Sequence, residues 1–497
     1  MSAPTVPETD TEMRRPPAPV AWDGVRKVHL MGICGSAMGA FAGMLRALGL
    51  EVRGSDTGAY PPMSTTLADK GIPIYEGYRA ENLDWGPDVV VVGNVIRPTY
   101  PEAVALRARG IPHASLPQAL AALFLTTRKS VVVTGTHGKT TTSSMTAWIL
   151  ERAGMSPSFM IGGVTGNFGE NHRVADGPVF VVEGDEYDTA YFDKGPKFWH
   201  YRPVVASINN IEFDHADIFA DLAAIERVFT RFAALVPETG RLVVNGADPR
   251  ALAAASASPA PLWTFAIDQP ADIVARDVRA DACGTRFELA LPGHEPCPAS
   301  LPLWGGHNVQ NALTAAGLAL AAGASVPAII DGLSTFRAPK KRQELRGVAA
   351  DVPVVDDFAH HPTAIRETLR SVRRRYPGRR VLALFEVQSN TARRRVFQDG
   401  FAEALAEADR VYFGRPLEKS SDSLAPEERL DLSGLAASLC DAGTPAVIVA
   451  DTDALADRVV ADVRPGEDVV IAMSGRDFDG VHRRLLDRLA ALESRGA

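Results

Sequence analysis

Chemistry is most legible in the run VVVTGTHGKTTTSSM, Val131 to Met145, where a lysine is followed directly by hydroxyl residues at the join of a strand and a helix. Gly135 and Gly138 let backbone amides surround phosphate oxygens, with Thr136 between them. Lys139 neutralises β/γ-phosphate charge, and Thr140 supplies a hydroxyl for magnesium, with Thr141 a second candidate. The glycine that would open a Walker loop is absent, because Val133 stands there. His137 reads as a loop residue, since a phosphate cradle needs no proton acceptor at that point. Thr142 and Ser143 read as residues that cap or line the helix start.

Magnesium asks for further hard oxygens at neighbouring strand ends. PVFVVEGDEYDTAYFD supplies Glu183 at the end of an apolar run, then Asp185, Glu186 and Asp188, each of which fits a solvated acidic turn as well as a ligand. PVVASINNIEFDHADIF supplies another buried-looking strand, followed by Asn209, Asn210, Asp214 and His215. Two such turns after a lysine–threonine loop point to an ATP–magnesium site.

The elements that hold these residues alternate short β-branched runs with helical patterns, which predicts an α/β fold of parallel sheets covered by helices. The alternation falls into three blocks, with boundaries near residues 127 and 337. In the first, Gly32, Gly35 and Gly39 lie at a strand-to-helix turn and Asp56 ends the next strand, as in a dinucleotide fold. GICGSAMG nevertheless departs from GxGxxG, since Cys34 replaces the glycine that allows close approach to a pyrophosphate. A nicotinamide-dependent dehydrogenase is thereby disfavoured, and the GKT loop would be unexplained in one. The turn can still hold another nucleotide diphosphate at its helix N-terminus, or no ligand. Cys34 reads as a packing residue rather than a nucleophile.

Composition narrows the partners. With 52 Lys and Arg against 60 Asp and Glu, the formal charge is −8, and no polybasic block offers a footprint for nucleic acid or an anionic membrane. The four cysteines, Cys34, Cys283, Cys297 and Cys440, are too scattered for a disulfide framework or a metal pair, which suits a reducing cytoplasm. No apolar run approaches the roughly 18 residues of a membrane span. The proline-bearing start of the chain, residues 1–25, reads as a disordered tail without a signal-peptide core.

Taken in order, GTHGKTTT, EGDEYD, NNIEFDH, GGHNVQNAL and DDFAHHP resemble the Mur ligase family over almost the whole chain after the tail. GICGSAMGAF, GSDTGAYPPMST, VVGN, FDKGPKFWHYRP and EFDHADIF look like its peptidoglycan-recycling branch. The resemblance implies three domains: a Rossmann-like UDP-sugar domain (26–127), a P-loop-type central ATPase domain (128–337) and an α/β C-terminal domain binding peptide (338–497). It implies hinges near both boundaries. It also implies ATP-dependent joining of UDP-N-acetylmuramic acid to the tripeptide L-alanyl-γ-D-glutamyl-meso-diaminopimelate, with ATP and Mg2+ as cofactors. A one-amino-acid ligase that adds L-alanine is the nearest alternative, and AYPPMST and FDKGPKFWHYRP count against it. A nucleotide-binding scaffold without catalysis fits poorly with the lysine and the acids.

Carried over by position, Gly32, Ile33, Cys34, Gly35, Ser36, Met38, Asp56 and Asn94 would surround the UDP moiety. Lys139 would hold ATP phosphates; Thr140 and Glu183 would bind one magnesium and His215 a second. Asn308 and Asn311 would face adenine, and His307 would buttress their helix. Asp357 and His360 would reach ATP from the third domain, with Pro362 a helix-start residue.

Some segments depart from the family pattern. No lysine occurs between Lys197 and Lys340, so the carbamoylated lysine of some relatives has no counterpart. Lys340 and Lys341 stand where arginines are expected, leaving Arg342 as the planar fork for γ-phosphate. In FEVQSNTARRRVF, Val387 and Gln388 replace an expected proline and arginine, and MSGRDFDGVH is also altered. Ser389, Asn390, Thr391, Arg394 and Ser474 remain the expected tripeptide contacts, while Arg393 to Arg395 could equally be a solvated helix face.

Overall fold

The computed structural model describes residues 15–59, 63–216, 218–389, 392–414, 424–449 and 451–496. The predicted contacts Asn390 and Thr391 lie outside the described residues. By internal packing the chain forms two units. One comprises residues 1–211, 223–265 and 314–332, and the other comprises 212–222, 266–313 and 333–497.

The first unit opens with β1 (Lys27–Met31), β2 (Glu51–Asp56), β3 (Ile74–Glu76), β4 (Val89–Val92) and β5 (His113–Ser115), in the order β3-β2-β1-β4-β5. The β1, β2 and β4 pairings are parallel. Val28, Leu30 and the four valines of β4 are buried on both faces, as a helix-covered parallel sheet requires. Helix α1 (Ser36–Ala47) follows β1 directly.

The second sheet of this unit contains β6 (Lys129–Thr134), β7 (Ser158–Met160), β8 (His172–Arg173) and β9 (Val179–Glu183). A hairpin, β10 (Asp188–Ala190) with β11 (Asp193–Pro196), follows, and then come β12 (Val205–Ile208), β13 (Arg241–Asn245) and β14 (Leu262–Ile267). The sheet order is β14-β13-β12-β6-β9-β7-β8, and α2 (Lys139–Arg152) follows β6. Central β6 is paired in parallel with β9 and β12, so the loop after it is flanked by Glu183 at the end of β9 and by Asn209 just beyond β12. The hairpin carries Tyr191 and Phe192 into the core under β1 and β4, tying the acid-rich turn to the first sheet.

In the second unit, β15 (Ile273–Asp281), β16 (Gly284–Ala290) and β17 (Cys297–Leu301) form an antiparallel meander. This departs from the all-parallel expectation, and chain length explains it: only Ala282 and Cys283 separate β15 from β16, too few for a crossover. Helix α3 (Gly306–Ala322) follows the meander.

The C-terminal sheet comprises β18 (Glu344–Ala349), β19 (Val352–Asp357), β20 (Arg380–Phe385), β21 (Arg410–Phe413), β22 (Ala446–Ile448) and β23 (Asp468–Met473), ordered β18-β19-β23-β20-β21-β22. All its pairs are parallel except β18 with β19. Helices α4 (Pro362–Arg375), α5 (Gln398–Leu405) and α6 (Leu432–Asp441) bury Leu369, Phe401 and Leu435 in one core. Helices α7 (Thr452–Asp462) and α8 (Val481–Gly496) bury Leu455 and Leu485 in another. The two cores lie on opposite sheet faces because right-handed crossovers run one way from β19 to β22 and back to reach β23.

Candidate active site

The phosphate-type loop is built by two glycines with different tasks. Gly138, at φ +83°, turns the chain into α2 and leaves the first-turn amides that every helix N-terminus presents. Gly135, at φ +134°, lets the loop lie against the end of β12, where a Cβ would come 2.9 Å from that of Asn209. Asn210 fixes the loop from outside: its carbonyl accepts from the Thr136 amide at 3.0 Å and its Oδ1 from the His137 amide at 2.7 Å. Those two amides therefore hold loop shape. His137 is a loop residue, as its sequence suggested.

Lys139 folds back over its own loop, donating to the carbonyl of Gly135 at 2.8 Å and to Glu186 at 2.9 Å. Burial pulls the ammonium pKa down, but Glu186, Asp185 and Glu183 outweigh that and hold it above its ordinary value. Glu186 is itself buried. It is the counter-ion of Lys139, a role no sequence signal separated from a solvated turn.

Glu183 ends β9 beside Val133 in the parallel register, and its carboxylate accepts from Thr140 Oγ1 at 2.9 Å and from the Gly162 amide at 2.7 Å. Burial and the neighbouring Asp185 push its pKa up, against the pull of that amide, Lys139 and Thr140. Asp185 pairs with Lys197 at 3.3 Å, and Asp188 with Lys194 at 2.6 Å within the hairpin. Thr140 and Glu183 are thus a hydroxyl and a carboxylate meeting at one point, in a crowd of negative charge. That hard-oxygen donor set fits a divalent cation such as magnesium. Thr141, Thr142 and Ser143 are buried along α2, and Thr142 Oγ1 accepts from Asn209 at 3.3 Å.

At the first sheet, Gly32 takes φ +84° and the N-cap Gly35 begins α1 at Ser36. Asp56 accepts from the Cys34 amide at 2.8 Å and from the Gly58 amide at 3.0 Å, so its carboxylate binds two turns together. Burial and Asp56 push the Cys34 thiol up to about 11, in keeping with a packing role. Ile33 and Met38 are buried, while Asn94 is exposed beyond β4.

In the second unit, His215 adopts φ +51°. Its neighbour Glu212 accepts from Thr363 at the start of α4 at 2.7 Å. Asn308 and Asn311, one turn apart on α3, are joined by a 3.3 Å hydrogen bond, and Asn308 also donates to the Trp304 carbonyl. His307 lies beside Gln343 at 3.4 Å, with burial pushing its pKa down to about 4. Arg342 stacks on Phe358 at 4.7 Å, and Phe358 meets the ring of His360 edge-on. Asp357 is buried and accepts from the Gln343 and Ala359 amides, which ties the end of β19 to the residue just before β18. Pro362 opens α4 behind the cap His361, as expected. Ser389 Oγ accepts from the Ala392 amide. Arg393 is buried, and Arg394 bridges to Arg429 through backbone bonds. Of the three arginines only Arg395, which opens a short helix, is exposed, so the solvated face that the run allowed is limited to that residue.

Three family domains match the chain: the Mur ligase family catalytic domain at residues 27–128, the Mur ligase middle domain at 133–319 and the Mur ligase glutamate ligase domain at 341–476. The protein belongs to the Mur ligase family and has its three-domain α/β architecture. Among its relatives, the UDP-N-acetylmuramate–L-alanyl-γ-D-glutamyl-meso-2,6-diaminoheptandioate ligase of Escherichia coli K12 is 39% identical over 93% of this chain and 98% of its own. A UDP-N-acetylmuramate–L-alanine ligase of Aquifex aeolicus is 34% identical over 78% of this chain and 83% of its own. The crystal structure of a murein peptide ligase from Psychrobacter arcticus covers 94% of this chain and 99% of its own, at 34% identity and a TM-score of 0.70.

Proposed function

We propose that the protein joins UDP-N-acetylmuramic acid to L-alanyl-γ-D-glutamyl-meso-diaminopimelate at the expense of ATP, returning a murein tripeptide to the sugar nucleotide. The observation that carries this reading is the contact of Thr140 with Glu183 beside the Lys139–Glu186 pair, in a chain similar to tripeptide ligases over nearly its full length. A carboxylate is a poor electrophile, so the lactyl oxygen first attacks the γ-phosphorus and the bond to the bridging oxygen breaks, releasing ADP. The tripeptide amine then attacks the acyl phosphate carbonyl, the carbon–oxygen bond to phosphate breaks, and the nitrogen loses its proton.

Lys139 lowers the repulsion between the two anions of the first step. Thr140 and Glu183 would hold magnesium, with His215 holding a second ion; when bound, the metal supplies charge neutralisation at the phosphates. Arg342, Asp357, His360, Asn308 and Asn311 are assigned to ATP. Gly32, Ile33, Cys34, Gly35, Ser36, Met38, Asp56 and Asn94 are assigned to the UDP moiety, and Ser389, Arg394 and Ser474 to the peptide. The division into residues 26–127, 128–337 and 338–497 follows these three ligands. Among the described residues no helix is long and apolar enough to cross a membrane, and the reading places the reaction in the cytoplasm, where ATP is available.

The similarity to L-alanine ligases over 78% of the chain favours one second reading, addition of L-alanine alone. ADP release with mass detection of product, given ATP, magnesium, UDP-N-acetylmuramate and either tripeptide or L-alanine, separates the two. Turnover with the tripeptide alone is expected, and turnover with L-alanine alone would overturn the proposal.

A further inference from the structure

At the carboxyl edge of the C-terminal sheet, β19 ends on Asp357, β23 runs into Ser474 and β20 into Glu386. These ends are adjacent, because Asp357 and Phe385 both pair with Met473. The chain leaves β19 and β20 towards α4 and α5 on one face, but leaves β23 towards α8 on the other. Loops that part in this way open a crevice at the strand ends, the usual ligand position in an open α/β sheet.

Glu386 stands in this crevice with no part in the functions assigned above. Ser474 Oγ and Gln388 Nε2 both donate to its carboxylate, the latter at 2.8 Å. Burial pushes its pKa up, and the same two donors, with Arg476 and Lys341, draw it back. Gln388 Oε1 is a buried acceptor without a donor among the described residues. A carboxylate beside an unsatisfied carbonyl is an acceptor-only pair, and a group with several donors and no acceptor satisfies both; an ammonium is such a group.

We propose that Glu386 and Gln388 seat the side-chain ammonium of the acceptor peptide's third residue, making Glu386 a specificity-determining residue. This rests on the tripeptide reading above. The reacting amine is the wrong occupant, because contact with a carboxylate stabilises its protonated form and withholds the lone pair that must attack. A distal ammonium keeps its charge throughout.

The test measures ADP release with tripeptides that differ only at the third residue: diaminopimelate, lysine or uncharged norleucine. The wild type is expected to favour both ammonium-bearing peptides in kcat/KM by about tenfold or more, roughly 1.4 kcal/mol for a charge-assisted hydrogen bond. Glu386→Gln should erase that preference through KM for peptide, leaving KM for ATP and for the UDP-sugar unchanged. Gln388→Leu, which leaves the Glu386–Ser474 bond in place, should erode it in the same direction and guards against a folding defect in the first variant. Equal use of norleucine by the wild type, or an intact preference in folded Glu386→Gln or in Gln388→Leu, overturns the assignment while the ligase reading stands. Wild-type turnover with L-alanine and with no tripeptide overturns both.

Discussion

Thr140 Oγ1 donates to Glu183 at 2.9 Å, so the hydroxyl and carboxylate assigned to one magnesium are already in contact before any cation joins them. The contact follows from topology: β6 and β9 are parallel neighbours, and the last residue of β9 lies level with Val133, just ahead of the loop. Glu183→Gln keeps the shape and removes the charge. We expect it to raise the magnesium concentration needed for half-maximal ADP release by at least about tenfold, as loss of an anionic ligand requires; an unchanged magnesium titration would remove Glu183 from the metal site.

The same residue predicts a pH dependence of stability without metal. Its pKa is raised in the folded protein above the ordinary 4.5, so folding favours the protonated form. That contribution is complete below pH 4.5 and is lost as pH rises through the folded value. Glu183→Gln, which cannot ionise, should therefore gain stability relative to wild type as pH rises from about 4.5 to 8. Denaturant midpoints measured without divalent cations test this, and a gain that shrinks with pH contradicts it.

Lys139→Ala should abolish ADP production and leave UDP-sugar binding intact, because the sugar nucleotide is assigned to the first sheet. It also removes the cation paired with buried Glu186, at a cost of about 3–5 kcal/mol for a broken buried pair. Adding Glu186→Gln should restore most of that stability and none of the activity. Calorimetry with the UDP-sugar and thermal unfolding of the single and double variants read the two effects separately.

Gly135→Ala is expected to impair the loop, since alanine would have to adopt φ +134° with its Cβ against Asn209. The strain is of order 1–3 kcal/mol. A loss of ATP turnover larger than the loss of thermal stability would locate the damage in the cradle.

Much of this site was readable because strand ends are readable. Lys139, Thr140 and Glu183 each follow or end an apolar β-branched run, and parallel pairing brings such ends together. What period and spacing cannot give is the direction of side chains in a turn. Asp185, Glu186 and Asp188 look alike in sequence, yet they pair with Lys197, Lys139 and Lys194 respectively. The Gly162 amide on Glu183 has no sequence signal, because any residue carries an amide. The antiparallel meander from β15 to β17 escaped the block pattern, although its two-residue turn was present in the sequence.

The ion pair of Lys139 with Glu186 has a kinetic meaning. An attached carboxylate competes for the ammonium at high effective concentration, so an incoming anion gains nothing there unless it displaces Glu186. A single inorganic phosphate offers little in exchange, whereas a triphosphate that also engages the start of α2 and a cation at Thr140 and Glu183 offers three contacts at once. On the proposed assignment of ATP and magnesium, Glu186 would therefore act as a built-in competitor that disfavours single small anions relative to a complete nucleotide.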